Sequence, residues 1–190
     1  MQIGLFFGSF NPIHTGHLII ASHILNETDL TEVWFIVSPQ NPFKESEHLL
    51  NGNERLHLAA KAVENDSRIA ISNIEFQLPK PSYTATTLVC LKEKYPEHKF
   101  FIIMGSDSFQ SLEKWKNYEI IVQNYLLFIY KRPGYEINNN LGAQIKIMDA
   151  PLLEISATYI RELVRRKKSI KYLVPENIEQ EIQNNKFYLL

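Results

Sequence analysis

The chain has 190 residues, with 20 Lys+Arg against 21 Asp+Glu for a net charge of −1, and is 45% hydrophobic and 22% charged. A balance this close to neutral excludes a protein built mainly to coat nucleic acid or an anionic membrane, both of which need a strong basic excess. The single cysteine, Cys90, excludes an internal disulfide and a Cys-based zinc cluster, and apolar runs such as 125–130 fall far short of the ~20 residues that span a bilayer.

Two hydrophobic periods alternate along the chain. Residues 2–7 read as a buried strand and 15–26 as a helix, followed by a strand at 33–37 and a loop punctuated by Pro39 and Pro42. A helix is predicted over 53–64, with short strands at 69–71 and 74–76. Thr84 is placed to cap a helix running through Leu91, because a hydroxyl there accepts a bond from an unpaired amide. Residues 99–104 form the next clear strand, cut off by Gly105-Ser106-Asp107; a helical stretch at 118–123 precedes an apolar run at 125–130. Arg132-Pro133-Gly134 has turn chemistry. A weaker strand follows at 145–148. Ser156 offers an N-cap for 157–166, and Pro175 suits the first turn of a last helix. This alternation predicts an α/β fold: a doubly wound, mostly parallel sheet with helices on both faces and a small C-terminal helical part. One domain over 1–190 is expected, its core at about 1–150 and its terminal helices at about 151–190. No basic, apolar leader follows Met1, so the expected location is cytoplasmic.

In such sheets ligands bind beyond the carboxyl ends of the strands, where connections diverge to opposite faces. The first such loop reads Gly8-Ser9-Phe10-Asn11-Pro12-Ile13-His14-Thr15-Gly16-His17. Gly8 permits close backbone approach to a ligand. His14 and His17 share a face if a helix starts here, beside unpaired amides that favour an anion. A chance surface pair and a two-histidine metal site are the competing readings; no third ligand lies nearby, and H-E-x-x-H is absent. Neither G-x-G-x-x-G nor G-x-x-x-x-G-K-[ST] occurs, which removes ordinary NAD-dependent dehydrogenases and P-loop NTPases.

This loop resembles the G-x-F-x-P-x-H-x-G-H signature of the nucleotidylyltransferase superfamily. Ile155-Ser156-Ala157-Thr158-Tyr159-Ile160-Arg161 resembles its second signature, I-S-[SA]-T-x-[IL]-R, and the two occur in the expected order. Ser82-Tyr83-Thr84-Ala85-Thr86-Thr87-Leu88, the Gly105-Ser106-Asp107-Ser108 stretch with Trp115, and the Arg132 turn are similar to segments of the bacterial nicotinate mononucleotide adenylyltransferases. Two departures stand out. Phe43 occupies a position where many members carry histidine, and Asn11 one where many carry aspartate.

The resemblance implies a Rossmann-like fold and transfer of AMP from ATP to nicotinate mononucleotide, with release of pyrophosphate. The attacking phosphate oxygen is already anionic, so catalysis reduces to in-line positioning and stabilisation of charge. It assigns His14, His17 and Arg161 to catalysis. Gly8, Ser9, Phe10, His17, Gly105, Asp107, Ser156 and Arg161 would hold ATP, with Mg²⁺ riding on its phosphates and no protein metal site. Lys44, Thr84, Trp115, Lys116 and Arg132 would hold the mononucleotide, Trp115 by stacking on the pyridine ring. Simpler roles compete at several positions: a helix cap for Ser156, an exposed helix arginine for Arg161, a turn cap for Asp107 and a core position for Trp115. The expected partners are the two nucleotides, with no nucleic acid and no membrane; the basic run at 165–168 fits a helix end. The alternatives are the same chemistry on nicotinamide mononucleotide or phosphopantetheine, a non-catalytic nucleotide sensor, and a fragment of a class I aminoacyl-tRNA synthetase. The last lacks its anticodon domain and lysine-containing signature.

Overall fold

A computed structural model describes residues 1–39, 49–151 and 154–189. Strands β1 (Gln2–Gly8), β2 (Glu32–Val37), β3 (Ile69–Ser72), β4 (Lys99–Gly105), β5 (Leu127–Tyr130) and β6 (Ile145–Met148) form one sheet in the order β3-β2-β1-β4-β5-β6. Every pairing is parallel. This is the Rossmann order, in which the chain first winds outward from β1 and then returns to start again at β4. The central strands therefore end side by side, at Gly8 and Gly105, where their connections part to opposite faces.

Helices α1 (Thr15–Asn26) and α2 (Gly52–Val63) cover one face, and α3 (Thr84–Lys94), α4 (Ser106–Gln110) and α5 (Tyr118–Asn124) the other. Alternation along the strands explains why both faces are apolar. Ile3 and Leu5 of β1 join Leu88 and Leu91 of α3, whereas Phe6 turns the other way to meet Ile24 of α1 and Ala59 of α2. Helices α6 (Ala157–Arg165) and α7 (Glu176–Asn184) pack on α2 through Ile160, Ile178, Ile182 and Leu58. The Leu173 carbonyl accepts from the Thr15 amide at 2.9 Å, tying this C-terminal part to the start of α1.

The sequence and the structure differ at a few places. Residues 74–76 are not a strand but part of a 3-10 turn, Ile74–Gln77, whose amides bond back along their own segment, Phe76 to the Asn73 carbonyl at 2.9 Å and Leu78 to that of Glu75 at 3.3 Å, instead of to a neighbouring strand. Thr84 does not cap α3; it is the first helical residue, Tyr83 occupies the cap position, and no side chain caps that end. Pro175 likewise stands just outside α7, in the cap position. At α6 the expectation holds: the Tyr159 amide donates to Ser156 Oγ at 3.2 Å.

Candidate active site

The loop after β1 folds back over its own strand. Phe10 sits at φ +44°, in the left-handed region, and a β-carbon at Gly8 would come within 2.8 Å of its ring. Glycine at 8 is what lets that ring lie there. The Phe10 and Phe6 rings then meet the His17 imidazole edge-on, with centroids 5.0 and 5.9 Å away. His14 and His17 stack at 3.7 Å, and the His14 amide donates to His17 Nδ1 at 3.2 Å. A neutral imidazole that accepts at Nδ1 carries its proton on Nε2, so His17 is set as an Nε2–H donor.

His14 is 4% exposed, and its Nδ1 is buried with no hydrogen-bond partner among the described residues. Burial, reinforced by the Arg132 guanidinium, pushes its pKa down from 6.5 to about 4. Above about pH 5 His14 is neutral. The unfolded chain takes up this proton near pH 6.5 and the folded chain only near pH 4, so stability is intact above 6.5 and drains away as pH falls between those values. The full loss is about 3 kcal/mol. Urea unfolding at pH 7 and pH 4.5 is expected to show most of this, about 2.5 kcal/mol, as extra acid sensitivity of the wild type over His14→Asn; equal pH dependence would refute it.

The opposite wall is built by the ends of β4 and β5. Ser106 Oγ accepts from the Arg132 amide at 2.9 Å, and Arg132 Nε lies 3.4 Å from Asp107 Oδ1. The same guanidinium stands 5.7 Å from the Tyr130 ring centroid and reaches its hydroxyl at 3.4 Å. A β-carbon at Gly105 would overlap Asp107 Oδ1 and approach Arg132 Nε to 3.1 Å. Glycine at 105 makes room for this pair. Gly105→Ala is expected to lower the melting temperature, because the Asp107 carboxylate must leave Arg132 and the buried Tyr130 ring, 3.1 Å from the new β-carbon, must shift, and to weaken ATP binding about tenfold in a calorimetric titration.

Arg161 reaches across from α6. Its Nη1 donates to the Asn11 carbonyl at 2.8 Å and its Nη2 to Thr158 Oγ1 at 3.2 Å, joining the second signature to the first. Asn11 Oδ1 accepts from the Leu50 amide at 3.2 Å, a bond that an amide oxygen makes as well as a carboxylate would.

These segments enclose a cleft of about 590 Å³. Gly8, Ser9, Phe10, His14, His17, Asp107, Arg132, Ser156 and Arg161 line it together with Thr84, Trp115 and Lys116. An adjoining cavity of about 230 Å³ shares His14, His17, Arg132 and Ser156. Arg132 thus stands beside His14 and Asp107 and shares the cleft with Trp115. Trp115 keeps one side against the core below β4 while lining the cleft, so its core and cleft roles coexist. Lys116 Nζ sits 4.6 Å from the Tyr83 ring centroid. Lys44 and Phe43 lie outside the described residues. Among the described residues no group of three or more His, Cys, Asp or Glu side chains is placed to hold a metal ion.

Two buried residues escaped the sequence reading, Glu75 lining the cleft and Arg55 behind its loops. Arg55, on α2, is fully buried and its bonds among the described residues all go to main-chain carbonyls: Nε to Leu50 at 2.9 Å, Nη1 to Ser9 and to Ser38 (2.7 Å), Nη2 to Pro39 at 2.8 Å. Glu75 is buried against hydroxyls, and burial raises its pKa although Ser82, Thr87 and Ser38 pull it back down. A signal existed for Arg55. It shares the helix stripe of Leu58 and Ala59, an apolar face on which a charge is out of place.

A cytidylyltransferase-like family model matches residues 5–163. A Cytophaga hutchinsonii protein named "probable nicotinate-nucleotide adenylyltransferase" is 50% identical, over 99% of this chain and 98% of its own. A Bacteroides thetaiotaomicron protein of the same name is 40% identical, over 97% of this chain and 96% of its own. Among solved structures, Plasmodium falciparum nicotinic acid mononucleotide adenylyltransferase complexed with NaAD superposes with a TM-score of 0.84 at 21% identity, covering 98% of this chain and 97% of that one, a likeness of fold. The chain belongs to the cytidylyltransferase-like family, within its nicotinate-nucleotide adenylyltransferase branch.

Proposed function

We propose that this protein transfers AMP from ATP to the phosphate of nicotinate mononucleotide, forming nicotinate adenine dinucleotide and pyrophosphate. One observation carries the reading: His14, His17 and Arg161, from signatures at opposite ends of the chain, line a single cleft, and Arg161 is bonded to the loop that holds the histidines. The names of relatives up to 50% identical over nearly the whole chain point the same way.

In this reading a mononucleotide phosphate oxygen attacks the α-phosphorus of ATP as the bond to the β-phosphate bridging oxygen breaks, and that electron pair leaves with pyrophosphate. The nucleophile is already an anion, so no base has to remove a proton. The residues instead lower the electrostatic cost of bringing two anions together. His17 offers an Nε2–H donor, His14 beside it stays neutral, and Arg161 and Arg132 contribute fixed cations. The free amides that open α6 suit phosphate oxygens. Asp107 accepts from the ribose hydroxyls. At the other end Trp115 covers the pyridine ring, and Thr84 Oγ1 with the Lys116 amide receives its carboxylate.

The cleft offers imidazoles, guanidiniums and hydroxyls, and of its two carboxyl groups among the described residues Asp107 is paired with Arg132 while Glu75 is taken up by the Ser82 and Thr87 hydroxyls. Such a set fits a Mg²⁺ ion that takes its oxygens from the ATP phosphates and water, in the manner of a hard cation. When bound, it would neutralise charge on the departing pyrophosphate. The implied setting is cytoplasmic nucleotide biosynthesis.

A pyrophosphate-release assay with ATP and a panel of acceptors tests the reading. Turnover is expected to be fastest with nicotinate mononucleotide. Equal kcat/KM with nicotinamide mononucleotide would remove the acid preference, and exclusive use of phosphopantetheine would replace the acceptor. ATP binding with no turnover on any acceptor would make the protein a sensor.

A further inference from the structure

At the pyridine end of the cleft Glu75 is 3% exposed, and its hydrogen-bond partners among the described residues are neutral hydroxyls. Its Oε2 accepts from Ser82 Oγ at 2.7 Å and its Oε1 from Thr87 Oγ1 at 2.8 Å, with a further bond from Ser38 at the end of β2. A carboxyl group this buried is costly unless its oxygens are well satisfied, and here the satisfying groups bracket the start of α3. That start has no side-chain cap of its own. Between the gripped residues lie Thr84, which lines the cleft, and Tyr83, whose ring carries the Lys116 ammonium. The position of both substituent-facing groups therefore hangs on one carboxyl group outside the helix.

We propose that Glu75 is the positioning residue of the mononucleotide subsite: its grip on Ser82 and Thr87 holds the Thr84 hydroxyl and the first turn of α3 where the ring substituent of the acceptor is read. The inference rests on the acceptor reading given above and adds a residue to it. Glu75 touches no reacting atom in this scheme. It acts through Thr84.

Three variants separate this role from a merely structural one. Glu75→Gln keeps the shape and can keep the network, its carbonyl accepting from Ser82 while its amide donates to Thr87 Oγ1. That hydroxyl then turns to the Tyr83 carbonyl, already 3.2 Å away. Glu75→Ala removes the grip, and Ser82→Ala removes one strand of it with little risk to folding. Steady-state kinetics is expected to show KM for nicotinate mononucleotide up about tenfold or more in Glu75→Ala, and less in Ser82→Ala, with KM for ATP within about twofold. Glu75→Gln is expected to recover most of the loss. Amide hydrogen exchange should quicken at the start of α3 in Glu75→Ala and stay unchanged in α1. KM rising equally for both substrates, or Ser82→Ala matching the wild type in KM and exchange, would overturn the proposal. A wild-type chain that never uses a pyridine mononucleotide would overturn the acceptor reading instead, and the exchange comparison would still decide whether Glu75 holds α3.

Discussion

His17→Ala is expected to lower kcat about 100- to 1,000-fold while weakening ATP binding only a few-fold, the pattern of a donor used mainly in the transition state. The reasoning starts from the bond between the His14 amide and His17 Nδ1, which sends the proton of a neutral ring to Nε2. The ring is then held by Phe6 and Phe10 at its edges and by the His14 imidazole across its face, so it has no orientation to search for. A donor fixed in advance costs little reorganisation when charge moves onto the α-phosphate oxygens, which is when it is worth most. In the proposed ground state the triphosphate also has Arg161 and the α6 amides, so binding is expected to survive the loss of one donor. Rapid-quench measurement of the chemical step, beside calorimetry with a non-hydrolysable ATP analogue, separates the two quantities. Equal losses in binding and turnover would show His17 to be a uniform binder, and an unchanged kcat would remove it from the chemistry.

The sheet was readable because a strand buried on both faces leaves an unbroken apolar run between turn residues, as at β1, β4 and β5. The two signatures were readable because their folds demand particular residue types, glycine at 8, where a β-carbon would meet the Phe10 ring, and a hydroxyl cap at 156 among them. Glu75 and Arg55 belong to another category. Between Ile74 and Phe76 a glutamate looks like the outward position of an alternating strand, and only the 3-10 turn rotates it inward. Its partners, Ser82 and Thr87, are ordinary hydroxyls with no spacing that marks them. Arg55 is harder still, since its partners are main-chain carbonyls, which every residue possesses and which therefore leave no trace in a sequence. Arg132 was legible as a turn residue yet stands beside His14 and Asp107, because register between β4 and β5 brings Gly105 opposite Tyr130 and with it the two loops. Contacts of that kind are set by strand pairing, a long-range event that local patterning does not encode.

Arg55→Met is expected to destabilise the chain by about 3–5 kcal/mol, the range seen when a buried hydrogen-bonded charge is removed and its partners are left without it. The guanidinium meets the carbonyls of Ser9, after β1, of Ser38 and Pro39, after β2, and of Leu50, before α2. A thioether fills most of the stem's volume and offers those oxygens no donor, and water has no route to a side chain that is fully buried. Lysine is a poor replacement as well. Its ammonium can reach one cluster of acceptors but lacks the planar fork that spans three chain segments. Urea titration should therefore rank wild type above Arg55→Lys and Arg55→Met, with similar slopes, whereas Arg68→Met, which breaks an exposed pair with Asp66, should leave the midpoint nearly in place. The kinetic consequence follows from where the carbonyls lie. In the proposed function Ser9 meets ATP, while Ser38, which bonds Glu75, lies on the acceptor side, so a folded Arg55→Lys protein should raise KM for both substrates together, unlike any loss of Glu75. A midpoint unchanged in Arg55→Met would mean that those carbonyls find other donors, and that the loops at the carboxyl edge of the sheet hold their places without the arginine.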